Sequence, residues 1–229
     1  MTIAVGAPGN RADSGYVEIY TFDGVSSSWK LQGEKISGDS LDYFGKTLSL
    51  RKNGKKIFIG SGNKVVEMYK LKDEGYWNRW QDKDIECTSV PTSLSTTNNV
   101  TAASIIEGEV TLFYTEEGKR ESIRFPSLNT FGFFVSLSSN GATLAVGVPV
   151  NDTNLMPGHV QVYNYNGSTW NLKGNAIQGK TLGDSFGYSI SLSSTGDRVA
   201  IGAPTNSVAG TNSGEVRIYS YDGSKWELM

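Results

Sequence analysis

The sequence predicts an all-β chain built from about five repeats of a four-stranded antiparallel unit, and three observations carry that prediction. The first is an internal copy: Phe186 to Pro204 nearly repeats Phe131 to Pro149, and the second half of that segment recurs as Thr2-Ile3-Ala4-Val5-Gly6-Ala7-Pro8. The second is constant spacing, with Phe186 standing 55 positions after Phe131 and Trp226 56 positions after Trp170. The third is period-2 alternation, as in Ser189-Ile190-Ser191-Leu192-Ser193, with no segment showing a helical period. A repeat of this kind sets the architecture before any residue is given a role.

Each element follows in order. A first strand, such as Ser189 to Ser193, alternates polar and apolar residues as a half-buried strand does. A turn at Asn140-Gly141 or Thr195-Gly196 leads to a second strand, Thr143 to Gly147 or Arg198 to Gly202. That strand is small and apolar throughout, which suits crowding on both faces and a place nearest a central axis. A polar loop then ends in Gly-x-Val and the third strand, at Gly15-Tyr16-Val17, Gly158-His159-Val160 and Gly214-Glu215-Val216. Asp23-Gly24, Asn166-Gly167 and Asp222-Gly223 are type I′ hairpin residues, tolerant of positive φ. The fourth strand carries Trp29, Trp170 or Trp226, and recurrence in nearly every copy assigns these tryptophans to packing between units rather than to a ligand.

Two further copies are degenerate. One opens at Phe44-Gly45 and runs through Ile57-Phe58-Ile59-Gly60 and Val65 to Tyr69, with its tryptophan at Trp77 or Trp80. The next lacks Phe-Gly but keeps the rhythm through Leu94, Val100 to Ile105 and Gly108 to Tyr114, with Ser122 to Phe125 as its last strand. The repeats fall at 1–43, 44–87, 88–130, 131–185 and 186–229, within a single domain over 1–229. Four short strands repeated in this way predict a β-propeller, whose blades bury their faces against one another.

The Phe186-Gly187 opening and Gly202-Ala203-Pro204 close of a strand pair resemble the pattern that names the FG-GAP repeat family, which includes the propeller heads of integrin α chains and many secreted or surface proteins. The resemblance spans essentially the whole chain, strongly in copies one, four and five. It implies a propeller of up to seven blades. In integrin-like copies the turn between the first two strands holds calcium on several carboxylates. Here that turn reads Ser194-Thr195-Gly196-Asp197, Ser139-Asn140-Gly141-Ala142 or Arg51-Lys52-Asn53-Gly54, too few carboxylates for an ion that takes six to eight oxygens. No metal or other cofactor is therefore expected. Asp39, Asp42 and Asp184, which precede Phe-Gly, are read as acceptors for turn amides. Register places Met1 at the second strand of a blade, so a piece of a longer polypeptide is expected; a complete five-bladed protein with a three-stranded first blade is the alternative.

Composition narrows the function classes. Lys and Arg number 21 against 23 Asp and Glu, so the chain has no electrostatic footprint for nucleic acid. No run reaches the ~18 apolar residues of a membrane helix. Cys87 is the single cysteine and cannot form an internal disulfide. Asn99, Asn151 and Asn166 head N-glycosylation triplets in or beside turns, which tilts the expected location to the cell surface or outside the cell. Catalytic equipment is sparse: His159 is the single histidine, and nothing around Cys87 marks a thiol nucleophile. Ser220 to Trp226 resembles a sialidase Asp-box but misses its spacing by one residue, and an ordinary hairpin turn explains it.

The sequence thus predicts a non-enzymatic interaction or structural module, an extracellular or cell-surface protein-binding or adhesion scaffold whose partners are other proteins within a larger assembly. Loops between second and third strands vary most between copies. Their candidate partner-binding residues are Arg11, Asp13, Asn151, Asp152, Asn154, Asn206 and Asn212. The alternative is a carbohydrate-binding propeller stacking glycans on Trp77 and Trp80, with a propeller glycoside hydrolase as the remaining possibility.

Overall fold

The computed structural model describes all residues except 10–13, 40–42, 81–83, 88–90, 98–99, 106–108, 115–118, 125–133 and 150–156. Its described residues form 22 strands and no helix, gathered into five antiparallel sheets. The first sheet holds β1 (Thr2–Ala7), β2 (Tyr16–Asp23), β3 (Ser28–Leu31) and β4 (Ile36–Ser37). The second holds β5 (Thr47–Leu50), β6 (Lys56–Gly60), β7 (Val65–Leu71), β8 (Trp77–Arg79) and β9 (Ile85–Glu86). The third is β10 (Pro91–Thr96), β11 (Val100–Ile105), β12 (Glu109–Tyr114) and β13 (Lys119–Arg124). The fourth comprises β14 (Phe134–Leu137), β15 (Thr143–Val148), β16 (His159–Tyr165), β17 (Trp170–Leu172) and β18 (Ile177–Gln178). The fifth is β19 (Ser189–Leu192), β20 (Arg198–Ala203), β21 (Glu215–Tyr221) and β22 (Trp226–Leu228). Consecutive strands pair except that β4, β9 and β18 return to β2, β7 and β16, so the second to fifth sheets each contain the predicted four-stranded blade, while the first contains its second, third and fourth strands together with β4.

The core lies between blades. Val17, Ile19 and Phe44 share a cluster with Ile57 and Ile59 of the next sheet, and Val160, Val162 and Phe186 share one with Val199 and Ile201. Comparable clusters join the second sheet to the third and the third to the fourth. Blades therefore bury their apolar faces against their neighbours.

In the fourth blade the second strand is buried on both faces, as its composition predicts, with all six residues of β15 buried; in β20 Arg198 is exposed, and in β1 Val5 is. Its place differs from expectation. It lies between first and third strands, β14 and β16, so it is not the strand nearest an axis. First strands meet one another across neighbouring blades, β5 with β10, β10 with β14 and β14 with β19, and second strands meet the first strand of a neighbour, as β15 does with β19. Small side chains on the second strand serve face-to-face packing of sheets rather than convergence at a centre.

The turns also depart from the type I′ expectation. Gly167 and Gly223 have φ of 98° and 107°, but Asn166 and Asp222 are not in the left-handed region. Instead Asp222 Oδ1 accepts the amides of Ser224 at 2.7 Å and Lys225 at 2.8 Å. Asn166 does the same for Ser168 and Thr169. The carboxylate or amide oxygen stands in for a backbone acceptor and closes a slightly longer loop. That role accounts for the Asp-box-like segment.

Candidate functional site

Second-to-third-strand connections leave each blade from equivalent strand ends: Ala7 and Tyr16, Gly60 and Val65, Val148 and His159, Ala203 and Glu215. The connection after Ala203 is described throughout. Asn206 is 1% exposed and donates from Nδ2 to Asp184 Oδ2 at 2.7 Å, while its Oδ1 accepts the Val208 amide at 3.0 Å. Thr205 Oγ1 donates to the Gly183 carbonyl at 2.6 Å, and the Asn212 amide donates to Ser207 Oγ at 3.0 Å. The loop is therefore cross-braced to the turn that precedes Phe186-Gly187. Asp184, read from sequence as an acceptor for turn amides, receives a side-chain amide here. Asn206 faces inward and shapes the loop; Asn212 is exposed with a φ of 51°. Arg11, Asp13, Asn151, Asp152, Asn154 and the sequon residue Asn99 lie outside the described residues.

The remaining singled-out residues are distributed over several blades. Trp77 Nε1 donates to the Gln32 carbonyl at 2.8 Å, and Trp226 Nε1 to the Lys173 carbonyl at 2.8 Å, so both indoles span a seam between blades. Trp170 Nε1 reaches Tyr114 Oη at 3.2 Å in the same sense. Trp80 is more open, with Lys56 Nζ 5.0 Å from its ring centroid. The structure thus does not bring Trp77 and Trp80 to one open platform. Asn166 lies in an exposed turn. Cys87 is half-buried with its thiol 3.8 Å from the Ile85 carbonyl. Burial lowers the His159 pKa from its ordinary value, and its buried Nδ1 has no hydrogen-bond partner to hold an added proton.

Among the described residues, no group of three or more His, Cys, Asp or Glu side chains is placed to hold a metal ion. Asp197, the one carboxylate of its turn, accepts from Ser193 Oγ at 2.8 Å and Thr195 Oγ1 at 2.5 Å, and these bonds lower its pKa. No described helix is long and apolar enough to cross a membrane.

Sequence reasoning missed two features. Arg79 bridges Glu67 at 3.3 Å and Asp84 at 2.8 Å, with Tyr69 Oη donating to Glu67 at 2.9 Å. The guanidinium thus ties Glu67 of β7 to Asp84, which follows β8. The signal lay in the third strands, where an acceptor two residues before tyrosine recurs at Glu18-Tyr20 and Gln161-Tyr163. Burial of Tyr163 pushes its pKa up to about 12. The second feature is a serine seam. Ser93 Oγ accepts the Val135 amide at 3.2 Å, Ser95 Oγ the Leu137 amide at 2.9 Å, and Ser136 Oγ the Leu192 amide at 3.0 Å. Alternate polar positions of first strands thus bind the next blade rather than water.

Residues 180–219 match the FG-GAP repeat, so the chain contains that repeat in its fifth blade. Among solved structures, the chain is similar to one in "Crystal Structure of Mitotic Checkpoint Complex", with a TM-score of 0.52 and 14% identity. The alignment covers 99% of this chain and 80% of the other. At that identity the likeness is one of fold, a propeller-like arrangement of blades. No curated protein matches the chain.

Proposed function

We propose that the chain is a non-enzymatic protein-binding scaffold, part of an extracellular or cell-surface assembly, that presents the loops between second and third strands to a partner. The supporting observation is the cross-brace from Asp184 to Asn206, which holds the 203–215 connection on the rigid blade stack with Asn212 outward. Loops held this way lose little freedom on binding, so more of each contact appears as affinity. Arg11, Asp13, Asn151, Asp152 and Asn154 belong to the corresponding connections of the first and fourth blades. In that setting the sequons at Asn99, Asn151 and Asn166 are glycosylation sites.

The test exchanges loops. Residues 207–213 are replaced by the short Ser61-Gly62-Asn63-Lys64 connection of the second blade, which leaves the Asn206–Asp184 brace in place. Partner capture from the native source is then compared with wild type, alongside thermal melting. Loss of a specific partner with folding intact is expected. Capture unchanged after all three long loops are shortened would refute the reading.

A further inference from the structure

The repeat supplies an internal comparison for one edge of the second blade. In four blades a row of residues crosses the second, third and fourth strands just past the tyrosine of the third. The first blade has Thr2, Thr21 and Lys30 there, the fourth Thr143, Asn164 and Asn171, and the fifth Arg198, Ser220 and Glu227. These rows are neutral or charge-balanced, with Lys30 paired to Asp23 and Glu227 to Lys225. The second blade instead carries Lys56, Lys70 and Asn78, its two lysines directly opposite each other. Like charges so placed cost a sheet stability. Two residues further on, Asp23, Asn166 and Asp222 accept turn amides through their side chains. The second blade has Lys72 at that place, and its turn closes through backbone, the Lys72 amide donating to the Tyr76 carbonyl at 2.9 Å. Trp77 is the indole of this blade that spans a seam, whereas Trp80 takes the place of Gln32, Lys173 and Met229 and is 37% exposed. The fold therefore requires neither these lysines nor this second tryptophan.

Lys70, Lys72, Asn78, Arg79 and Trp80 line a recess of about 270 Å³. Lys56 Nζ stands 5.0 Å from the Trp80 ring centroid, and the exposed Lys55 adjoins, its carbonyl accepting the Leu71 amide at 2.9 Å. Arg79 is engaged by Glu67 and Asp84. Lys70 and Lys72 make no ion pair among the described residues, not even with Asp73 or Glu74 of the following turn. Clustered cations without counter-charge concentrate anions at a surface. We propose that this recess binds an acidic saccharide, a glycan bearing sulfate or carboxylate groups. Its anionic groups meet the Lys70 and Lys72 ammonium groups, a ring hydroxyl meets the exposed Asn78 amide, and the sugar ring lies along Trp80. An acidic peptide is a poorer fit, because the outer strand β8 is three residues long and offers little template for an added strand. The recess lies at the opposite strand ends from the 61–64 connection. It does not rest on the rim-loop reading, and its failure would leave that reading intact.

The experiment titrates the full chain into a fluorescein-labelled heparin octasaccharide at about 0.15 M salt, where long-range attraction is screened, and reads anisotropy. Saturable binding is expected, and the same saccharide stripped of sulfate should bind at least about tenfold more weakly. Lys70→Gln with Lys72→Gln should also weaken binding about tenfold or more while melting as wild type, since neither side chain has a partner to lose. Trp80→Ala should weaken it in the same direction. Lys30→Gln with Lys225→Gln removes as much charge from other blades and should bind as wild type. No saturation up to ~1 mM, a range that detects even weak complexes, would overturn the proposal. So would unchanged affinity in the Lys70/Lys72 double variant, or an equal loss in the Lys30/Lys225 control. A glutamate decapeptide that competes as well as the saccharide would assign the recess to an acidic protein segment and overturn it. Cosedimentation with phosphatidylserine vesicles, lost in the Lys70/Lys72 variant and without saccharide binding, would assign it to a membrane surface and overturn it too.

Discussion

Phe186→Ala tests whether the Phe-Gly unit is the rivet between blades. Phe186 is 1% exposed and shares its cluster with Val160, Val162 and Ile201. Its ring meets Tyr219 edge-on at 6.4 Å, and the Arg217 guanidinium lies 5.7 Å from its centroid. Truncating a buried phenylalanine to alanine costs about 3–5 kcal/mol, combining lost transfer energy with the cavity left behind. The site favours the upper half of that range. Its walls are β-sheet backbone that collapses poorly, and the lost edge and cation contacts each carry about 0.5–1 kcal/mol. Urea unfolding followed by tryptophan fluorescence reads the junction directly, because Trp226 packs against this cluster. The expected shift in midpoint is about 1 M or more, given typical urea slopes of about 1–3 kcal/mol per M. Phe22→Ala is the control: Phe22 is 39% exposed against Trp29 and should cost under about 1 kcal/mol. A Phe186→Ala loss no larger than the control's would refute the argument that blades are held by buried Phe-Gly units.

Three further outcomes follow from the same junctions. Gly147→Ala should destabilise by about 1–3 kcal/mol or more, because the new Cβ meets backbone at Gly187 that cannot rotate aside; calorimetry showing a wild-type melting temperature would contradict it. Trp226→Phe keeps a smaller aromatic ring but removes the indole donor to the Lys173 carbonyl, and should cost about 0.5–1.5 kcal/mol in chemical denaturation. A neutral result would mean the seam is purely apolar. His159 has a folded pKa below its ordinary 6.5, so the unfolded chain takes up the proton first as pH falls. Its contribution should be intact above pH 6.5, decline as pH drops through 6.5 toward the folded value, and level off below it. Melting temperature measured from pH 8 to 5 should show that decline in wild type and lose it in His159→Gln.

Much of the architecture was legible because the repeat writes each blade several times. Period-2 strands, Gly-x-Val starts and recurring tryptophans depend only on local backbone geometry and on which faces must avoid water. The same residues could not reveal which neighbour a polar group meets. Ser93, Ser95 and Ser136 look like solvent-facing positions in sequence, yet they accept backbone amides from the next blade. Likewise Asn206 reads as a loop surface residue, and only the return of the chain past Asp184 turns it inward.

The sequence by itself determined that this chain is all-β, that it repeats, and that its turns lack carboxylates enough for calcium, since composition and spacing alone decide these. Tertiary structure alone decided which polar groups of one blade bind the next, with Ser95 and Ser136 accepting the Leu137 and Leu192 amides across the seam. The physical reason is that these serines occupy alternate positions of a period-2 strand, which in the local pattern read as facing water. What turns such a serine into a bond between blades is the first strand packed against it, and that strand comes from a segment distant along the chain.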